Sequence, residues 1–420
     1  MSREMKQSGV PWIGEIPKTW EIRKVKDVFV RKNEKAHQDN PVILSLARAG
    51  VKVRDVSTNE GQMAESYYDY NPVEPFDLLV NPMDLYSGAN CSMSLVSGVI
   101  SPAYVNLRAK GGACSRFYDY YFKTQYWSMA FFAHGKGISF ENRWTLGVDT
   151  LFRYNVPFPS VLEQQKIASF LDRKCSEIDE MIALQEKIVD ELKAYKQSVI
   201  TEAVTKGLNL DVPMKDSGIE WIGEIPEHWE ICRFKNIAKV KANLVHPDDY
   251  LDYPQIAPDN IEKGSGRLIS SKTVRESNII SDNHLFFKGQ IIYSKIRPVL
   301  NKLTIAPFDG LCSADMYPIE TIHDVGYMKY FMLSDAFVSQ VTIVVQDRVK
   351  MPKINQDELG VIHALYLPHI EQNRIANFLD TKCTEIDNLI SFKLSKIESL
   401  KEYKKSIIYE YVTGKKEVTL

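Results

Sequence analysis

Two stretches of this chain are written twice. SGVPWIGEIPKTWE begins at Ser8 and SGIEWIGEIPEHWE at Ser217; EQQKIASFLDRKCSEID begins at Glu163 and EQNRIANFLDTKCTEID at Glu371. The offsets, 209 and 208 residues, agree, so the order short motif, variable block, long motif runs twice through the 420 residues. A self-match of this length demands a fold that repeats, and one supersecondary plan used twice is the simplest solution. It also implies one task carried out at two places on a partner that has a repeating structure of its own.

The long motifs read as helices. Ile167, Leu171, Lys174, Ile178, Met181, Gln185, Ile188, Leu192, Tyr195 and Val199 alternate by four and three, a heptad seam with polar insertions. The second copy gives Ile375, Leu379, Lys382, Ile386, Leu389, Lys393, Lys396, Leu400, Tyr403 and Ile407. Ser160 and Glu163 have capping-box spacing, whereas His369 stands in place of the serine in the second copy. Gly207 and Gly414 are suited to end the helices. Each helix should run about 45 residues, roughly 65 Å, and matched seams predict that the two pair antiparallel. The WIGEIP segments hold Gly and Pro and cannot extend a helix. Trp12, Ile13 and Ile16, with Trp221, Ile222 and Ile225, are expected to be core staples. The second copy should fold back on the end of the first helix at Gly207. By symmetry the N-terminal copy should lie near Thr413, making the fold nearly circular.

The blocks between, residues 21–155 and 230–365, are rich in β-branched and aromatic residues with frequent turn signals. DLLVNPM from Asp77 and GQIIYSKI from Gly289 read as strands running into loops; GVISPAYVNL from Gly98 and GLCSADMYPI from Gly310 read as a second matched pair. These blocks share a scaffold and differ in their polar residues. A net charge of −2 argues against a strongly basic, non-specific nucleic-acid binder, so any such contact must rest on local patches. The polar start MSREMKQSG predicts no signal peptide, and no apolar run reaches the length of a membrane span. None of the six cysteines forms a CxxC pair, so reduced thiols in a cytoplasmic protein are expected, with Cys175 and Cys383 buried in the helices.

Chemistry-bearing motifs are sparse. There is no phosphate-binding GxxxxGK[ST] loop; Gly414-Lys415-Lys416 lacks its spacing and hydroxyl. Asn81-Pro82-Met83 is the nearest approach to an NPPY-type amino-methylation motif and lacks the second proline and the aromatic. The eight histidines show no metal-ligand spacing; His134 is the most loop-like of them. No catalytic, cofactor or metal residue is therefore expected.

The pattern SG-x-x-WIGEIP-x-x-W, variable block, EQ-x-x-IA-x-FLD-x-K, long helix, then the same again resembles the specificity subunit of type I restriction-modification systems across essentially the whole chain. The resemblance implies an α+β fold. Two similar globular target-recognition domains, mixed but mainly β sheet with short helices, are separated by two long antiparallel coiled-coil helices in a pseudo-twofold, circular arrangement. The implied boundaries are a conserved N-terminal segment (1–20), recognition domain one (21–158), a central region (159–229, its helix 160–206), recognition domain two (230–367) and a C-terminal helix (368–420). The implied role is non-catalytic. Each domain reads one half of a bipartite double-stranded DNA target. The helices set half-site spacing and dock two methyltransferase subunits, and through them restriction subunits. S-adenosylmethionine, ATP and Mg would belong to those partners. A protein–protein adaptor with a helical spacer, or a self-sufficient DNA methyltransferase or nuclease, are the alternatives.

Under that resemblance, loops following the matched strands supply candidates for DNA contact. In the first block these are Arg48, Lys52, Arg54, Asn81, Tyr86, Ser87, Asn90, Lys136, Ser139, Asn142, Arg143 and Trp144. In the second they are Lys272, Arg275, Ser294, Lys295, Arg297, Asn301, Lys302, Gln346, Arg348 and Lys350. Arg and Lys suit guanine edges, Asn and Gln adenine.

Overall fold

The computed structural model describes residues 3–47, 50–57, 64–86, 90–139, 143–209 and 211–418. The chain divides into two compact units, one of Met1–Gln185 with Lys396–Leu420, the other of Glu186–Ser395. Both boundaries fall inside long helices, Val161–Lys206 of 46 residues and His369–Val412 of 44.

The first unit opens with a hairpin, Met5–Gln7 against Glu15–Pro17, built from the short motif. Glu21–Lys24 then pairs antiparallel with Asn155–Phe158, so the start and end of the variable block leave side by side. Between them lies a four-stranded antiparallel sheet in the order Phe29–Lys32, Val105–Ala109, Leu78–Val80, Cys91–Met93. The central strand Leu78–Val80 and the edge strand Cys91–Met93 are wholly buried. Helix Ser115–Trp127 covers them with Phe117, Tyr118, Tyr121 and Phe122. The same core takes in Ile167, Leu171, Cys175 and Ile178 from one long helix and Ile407, Ile408 and Val412 from the other.

The second unit repeats this plan. A hairpin of Met214–Asp216 and Glu224–Pro226 precedes Glu230–Arg233, which pairs with His363–Tyr366. The sheet order is Ala238–Val240, Met316–Thr321, Ile291–Ser294, Leu303–Ile305. A second, five-stranded sheet around Asn283–Phe286 and Gly310–Cys312 flanks it, including one parallel pairing with Pro254–Ile256. Helices Val325–Leu333 and Asp335–Val345 cover the core that Ile200, Ala203, Val204, Ile375, Leu379 and Cys383 complete. Among the described residues no single helix is long and apolar enough to cross a membrane; that short pair is bent by 56° and packs into this core.

Within each unit the long helices run antiparallel. In the first, the Phe170 and Tyr411 rings lie 4.5 Å apart and Lys404 Nζ bonds Asp179 at 2.6 Å. In the second, Lys196 Nζ bonds Asp387 at 2.7 Å. These two ion pairs are repeat equivalents. Exposed pairs of this kind contribute below about 1 kcal/mol, so they set register more than stability.

The seam differs from the heptad reading. Met181, Tyr195, Leu389, Lys396 and Tyr403 are exposed, while Ile182, Val189, Ile200, Ile390, Ile397 and Lys404 turn inward. A straight helix of 3.6 residues per turn drifts about 20° per heptad, so the buried stripe slides by one position along it. The helix starts also differ. Glu163 N–H donates to Ser160 Oγ at 3.3 Å, but the Glu163 carboxylate turns away to other partners, so the box is half made. In the second copy Pro368, not His369, precedes the first helical residue, and its carbonyl accepts from Gln372 N–H.

Candidate nucleic-acid interface and its supporting joint

Three polar residues of each long motif (Glu163, Gln164 and Asp172; Glu371, Gln372 and Asp380) make contacts that recur between the units. Trp20 Nε1–H donates to Glu163 at 2.9 Å and Trp229 Nε1–H to Glu371 at 2.9 Å. Arg3 pairs with the same Glu163, and His228 sits 2.8 Å from Glu371. The next residue, Gln164, accepts from Cys114 N–H at 2.8 Å and donates to the Pro159 carbonyl; Gln372 accepts from Asp324 N–H at 2.6 Å and donates to the Leu367 carbonyl. About two turns on, Tyr120 O–H donates to Asp172 at 2.7 Å and Tyr330 O–H to Asp380 at 2.6 Å. Burial pushes both phenols well above the ordinary tyrosine range. Burial likewise pushes up the thiols of Cys175 and Cys383, which lie against these tyrosines.

The staples of the short motif differ from expectation. Ile13, Ile16, Ile222 and Ile225 are buried, but the deepest aromatics are Trp20 and Trp229, both 0% exposed. Trp12 is half-buried, stacked 4.9 Å from Tyr154, and Trp221 is 40% exposed. The cause is Gly and Pro geometry: Trp12 and Trp221 precede left-handed glycines at the hairpin turn, whereas Trp20 and Trp229 follow the strand into the core. Each buried indole also stops a helix. Gly207 (φ +77°) and Gly414 (φ +76°) end the helices left-handed, and a methyl group on either would sit 3.3 Å from Trp229 or 3.0 Å from Trp20. The N-terminal motif thus packs beside Thr413, as expected from the repeat.

These joints hold two loop pairs in matching positions. In the first unit, the loop after strand Leu78–Val80 clasps a hairpin closed by Lys136 and Thr145, through Leu146 N–H to the Pro82 carbonyl (2.8 Å) and Leu85 N–H to the Trp144 carbonyl (3.0 Å). In the second, the loop after Ile291–Ser294 clasps residues 346–353, through Arg297 N–H to the Pro352 carbonyl (2.7 Å) and Ile354 N–H to the Lys295 carbonyl (3.0 Å). Tyr86, Lys136, Ser139 and Arg143 share the first cluster; Lys295, Arg297, Gln346, Arg348 and Lys350 share the second.

The remaining candidates, and Arg348 of the second cluster, sit elsewhere or are engaged within the fold. Arg48, Ser87 and Asn142 lie outside the described residues. Lys52 and Arg54 belong to the separate hairpin of Leu44–Ala47 and Gly50–Val53. Asn81 Oδ1 accepts from Met83 N–H to shape its own turn, and Asn90 Nδ2 donates to the Ala47 carbonyl. Trp144 Nε1–H donates to the Phe132 carbonyl at 2.8 Å, anchoring the hairpin from inside. Ser294 (2% exposed) and Asn301 (5%) are buried, bonded to the carbonyls of Ile296 and Met332, so neither can reach a base edge. Lys302 is drawn to the Pro258 carbonyl and Asp259. Arg348 is forked onto Glu358, which holds that carboxyl below its ordinary range. Arg275 pairs with Asp252, and Lys272 lies on a sheet edge. Sequence reasoning missed Ile138 and Val349, each 86% exposed within the clasped loops; an apolar residue between cations was the available signal.

Burial lowers the imidazoles of His284, His323 and His363, all in the second unit, and of His134 in the first. A lowered folded-state value means the unfolded chain binds protons more readily. Stability is therefore full above the unfolded value of about 6.5 and is lost as pH falls below it. The unfolding midpoint should drop between pH 7.5 and 5.5, and His323→Gln should flatten that dependence; a pH-independent midpoint would contradict the assignment.

Two β-rich units, each carrying the same four contacts at the start of a long helix, define a duplicated α+β fold. No protein-family model matches the chain. It is 33% identical over 259 residues to the type I restriction enzyme EcoDI specificity subunit of Escherichia coli. That match covers 56% of this chain and 58% of the relative, a little over half of its length. It is 22% identical to the MjaVIII specificity subunit of Methanocaldococcus jannaschii over 81% of this chain and 80% of that one. Among solved structures, a chain of a type I R-M system shares the fold at TM-score 0.70 and 12% identity, over 94% of this chain and 98% of that one. The HsdS subunit from Thermoanaerobacter tengcongensis does so at 0.53 and 11%, over 95% and 98%. In sequence the chain is similar to type I restriction enzyme specificity subunits, and it shares the fold of the solved ones.

Proposed function

We propose that this chain is the DNA-recognition subunit of a type I restriction-modification complex. Each head, within residues 21–158 and 230–367, reads one half of a bipartite target on double-stranded DNA. The paired helices set the spacing between half-sites and dock two methyltransferase subunits, through which restriction subunits join. Methyl transfer and cleavage, with S-adenosylmethionine, ATP and Mg, lie on those partners in the cytoplasm. The observation that carries this reading is the recurrence of one joint, Trp–Glu, Gln–main chain and Tyr–Asp, beneath two heads whose loops differ in polar residues. Identical support with different loop chemistry suits two readers of different sequences. Phosphate contacts position a reader and base contacts specify, so a chain of nearly zero net charge suffices where partners hold the backbone.

Co-expression with the cognate methyltransferase subunit followed by methylome sequencing tests the proposal. It should yield one motif of two defined halves separated by unread base pairs; a single continuous motif would sink it. Arg297 is exposed and makes no ion pair among the described residues. Arg297→Ala should weaken binding about tenfold, within the range of one lost base contact. The loss should fall on one half-site only, in competition against scrambled half-sites at fixed salt; equal loss at both would count against the two-head reading.

A further inference from the structure

Apolar side chains left bare in water are commonplace when scattered singly. Ile138 and Val349 are not scattered. Each is 86% exposed, matched among the described residues only by Ile280 at 89%. Each occupies the loop that precedes the last short helix of its variable block, Val148–Arg153 in one unit and Gln356–Gly360 in the other. Each loop is held by main-chain hydrogen bonds to the end of the corresponding sheet strand.

Two further observations concentrate on the same loops. Asp84, Arg143, Arg297, Asn301, Lys350 and Met351 are six of the eleven described non-glycine residues in the left-handed region. Such conformations are costly and persist where surroundings enforce them, which is common at binding sites. The loops also carry cations without ion-pair partners among the described residues: Lys136 and Arg143 in one, Arg297 and Lys350 in the other. Free positive charge around a bare branched aliphatic group matches a polyanion that presents apolar patches between its charges. In duplex DNA that patch is the thymine 5-methyl group in the major groove. Insertion between stacked pairs would also have to unstack a base step, and a valine has too little apolar surface to offset that.

Resting on the recognition role above, we propose that Ile138 and Val349 each pack against a thymine methyl group in the half-site read by their own unit, with the flanking Lys136 and Lys350 on neighbouring phosphates. Each half-site therefore contains at least one A·T pair at a position that the branched side chain reads.

The test uses the full chain with its methyltransferase partner on the target found by methylation mapping, with thymines replaced one at a time by deoxyuridine. That change removes the methyl group and leaves pairing intact. One replacement in each half-site should weaken binding about fourfold, the worth of one buried methyl-sized group. Ile138→Ala should abolish the sensitivity in one half-site and Val349→Ala in the other, with thermal unfolding unchanged because both side chains are exposed. Half-sites indifferent to deoxyuridine, sensitivity that survives in both variants, or a half-site without an A·T pair would overturn the methyl contact while leaving DNA recognition intact. Failure of the unaltered protein to prefer target over scrambled duplex would overturn recognition itself, and the contact with it.

Discussion

Trp229→Ala will lower the unfolding free energy by about 3–5 kcal/mol, the usual loss for a fully buried large aromatic. The indole is 0% exposed, touches the residue that ends one long helix, and bonds the carboxylate near the start of the other. Removing it opens a cavity and leaves Glu371 with His228 as its one side-chain partner among the described residues. Trp20→Ala should behave alike in the first unit, where Glu163 keeps Arg3 as its one side-chain partner among the described residues. Trp221→Ala is the control: at 40% exposed it should cost less than half as much. Denaturant unfolding of the full chain, followed separately by far-UV signal and by fluorescence, measures this, since two units need not unfold together. Equal losses at Trp221 and Trp229 would contradict the packing described.

The second large effect concerns the proposed spacing role. Deleting residues 183–189 and the equivalent 391–397 removes two turns from both helices and keeps the seam nearly in phase. Seven residues span about 10 Å of helix, and a base pair about 3.4 Å. The number of unread base pairs in the methylated motif should change by about three while both half-sites stay the same. Deleting three or four residues instead throws the buried stripe out of phase and should abolish methylation. A motif with an unaltered gap after the seven-residue deletion would exclude the helices as the spacer.

The repeat, both long helices, their glycine ends and the two matched strand pairs were legible because each is a local signal: periodicity, a left-handed terminator, an alternating run. The WIGEIP–helix-end contact was legible because duplication let one half predict the other. What escaped depends on long-range partners. Glu163 looks like a capping residue from three positions away, but its carboxylate is claimed by Trp20, 143 residues earlier. Met181 and Tyr195 fit a strict heptad, yet a straight helix rotates them to the surface. Ser294 and Asn301 lie in a loop by every sequence sign, and only the sheet and helix above them reveal that they face inward. Tyr120 and Tyr330 were invisible as partners of Asp172 and Asp380, because nothing in an aromatic-rich helix distinguishes one phenol from its neighbours.

The joint beneath each head is lopsided in who supplies it. The shared motifs provide the indole, both carboxylates and the carboxamide; the variable block contributes one phenol and one main-chain N–H, from Tyr120 and Cys114 or from Tyr330 and Asp324. A main-chain donor asks nothing of the side chain at its position. The socket therefore accepts any cassette that brings a tyrosine and a free amide to the right place, and its two ends leave as adjacent antiparallel strands. Grafting a foreign block between those strands should alter what is read without disturbing what holds it.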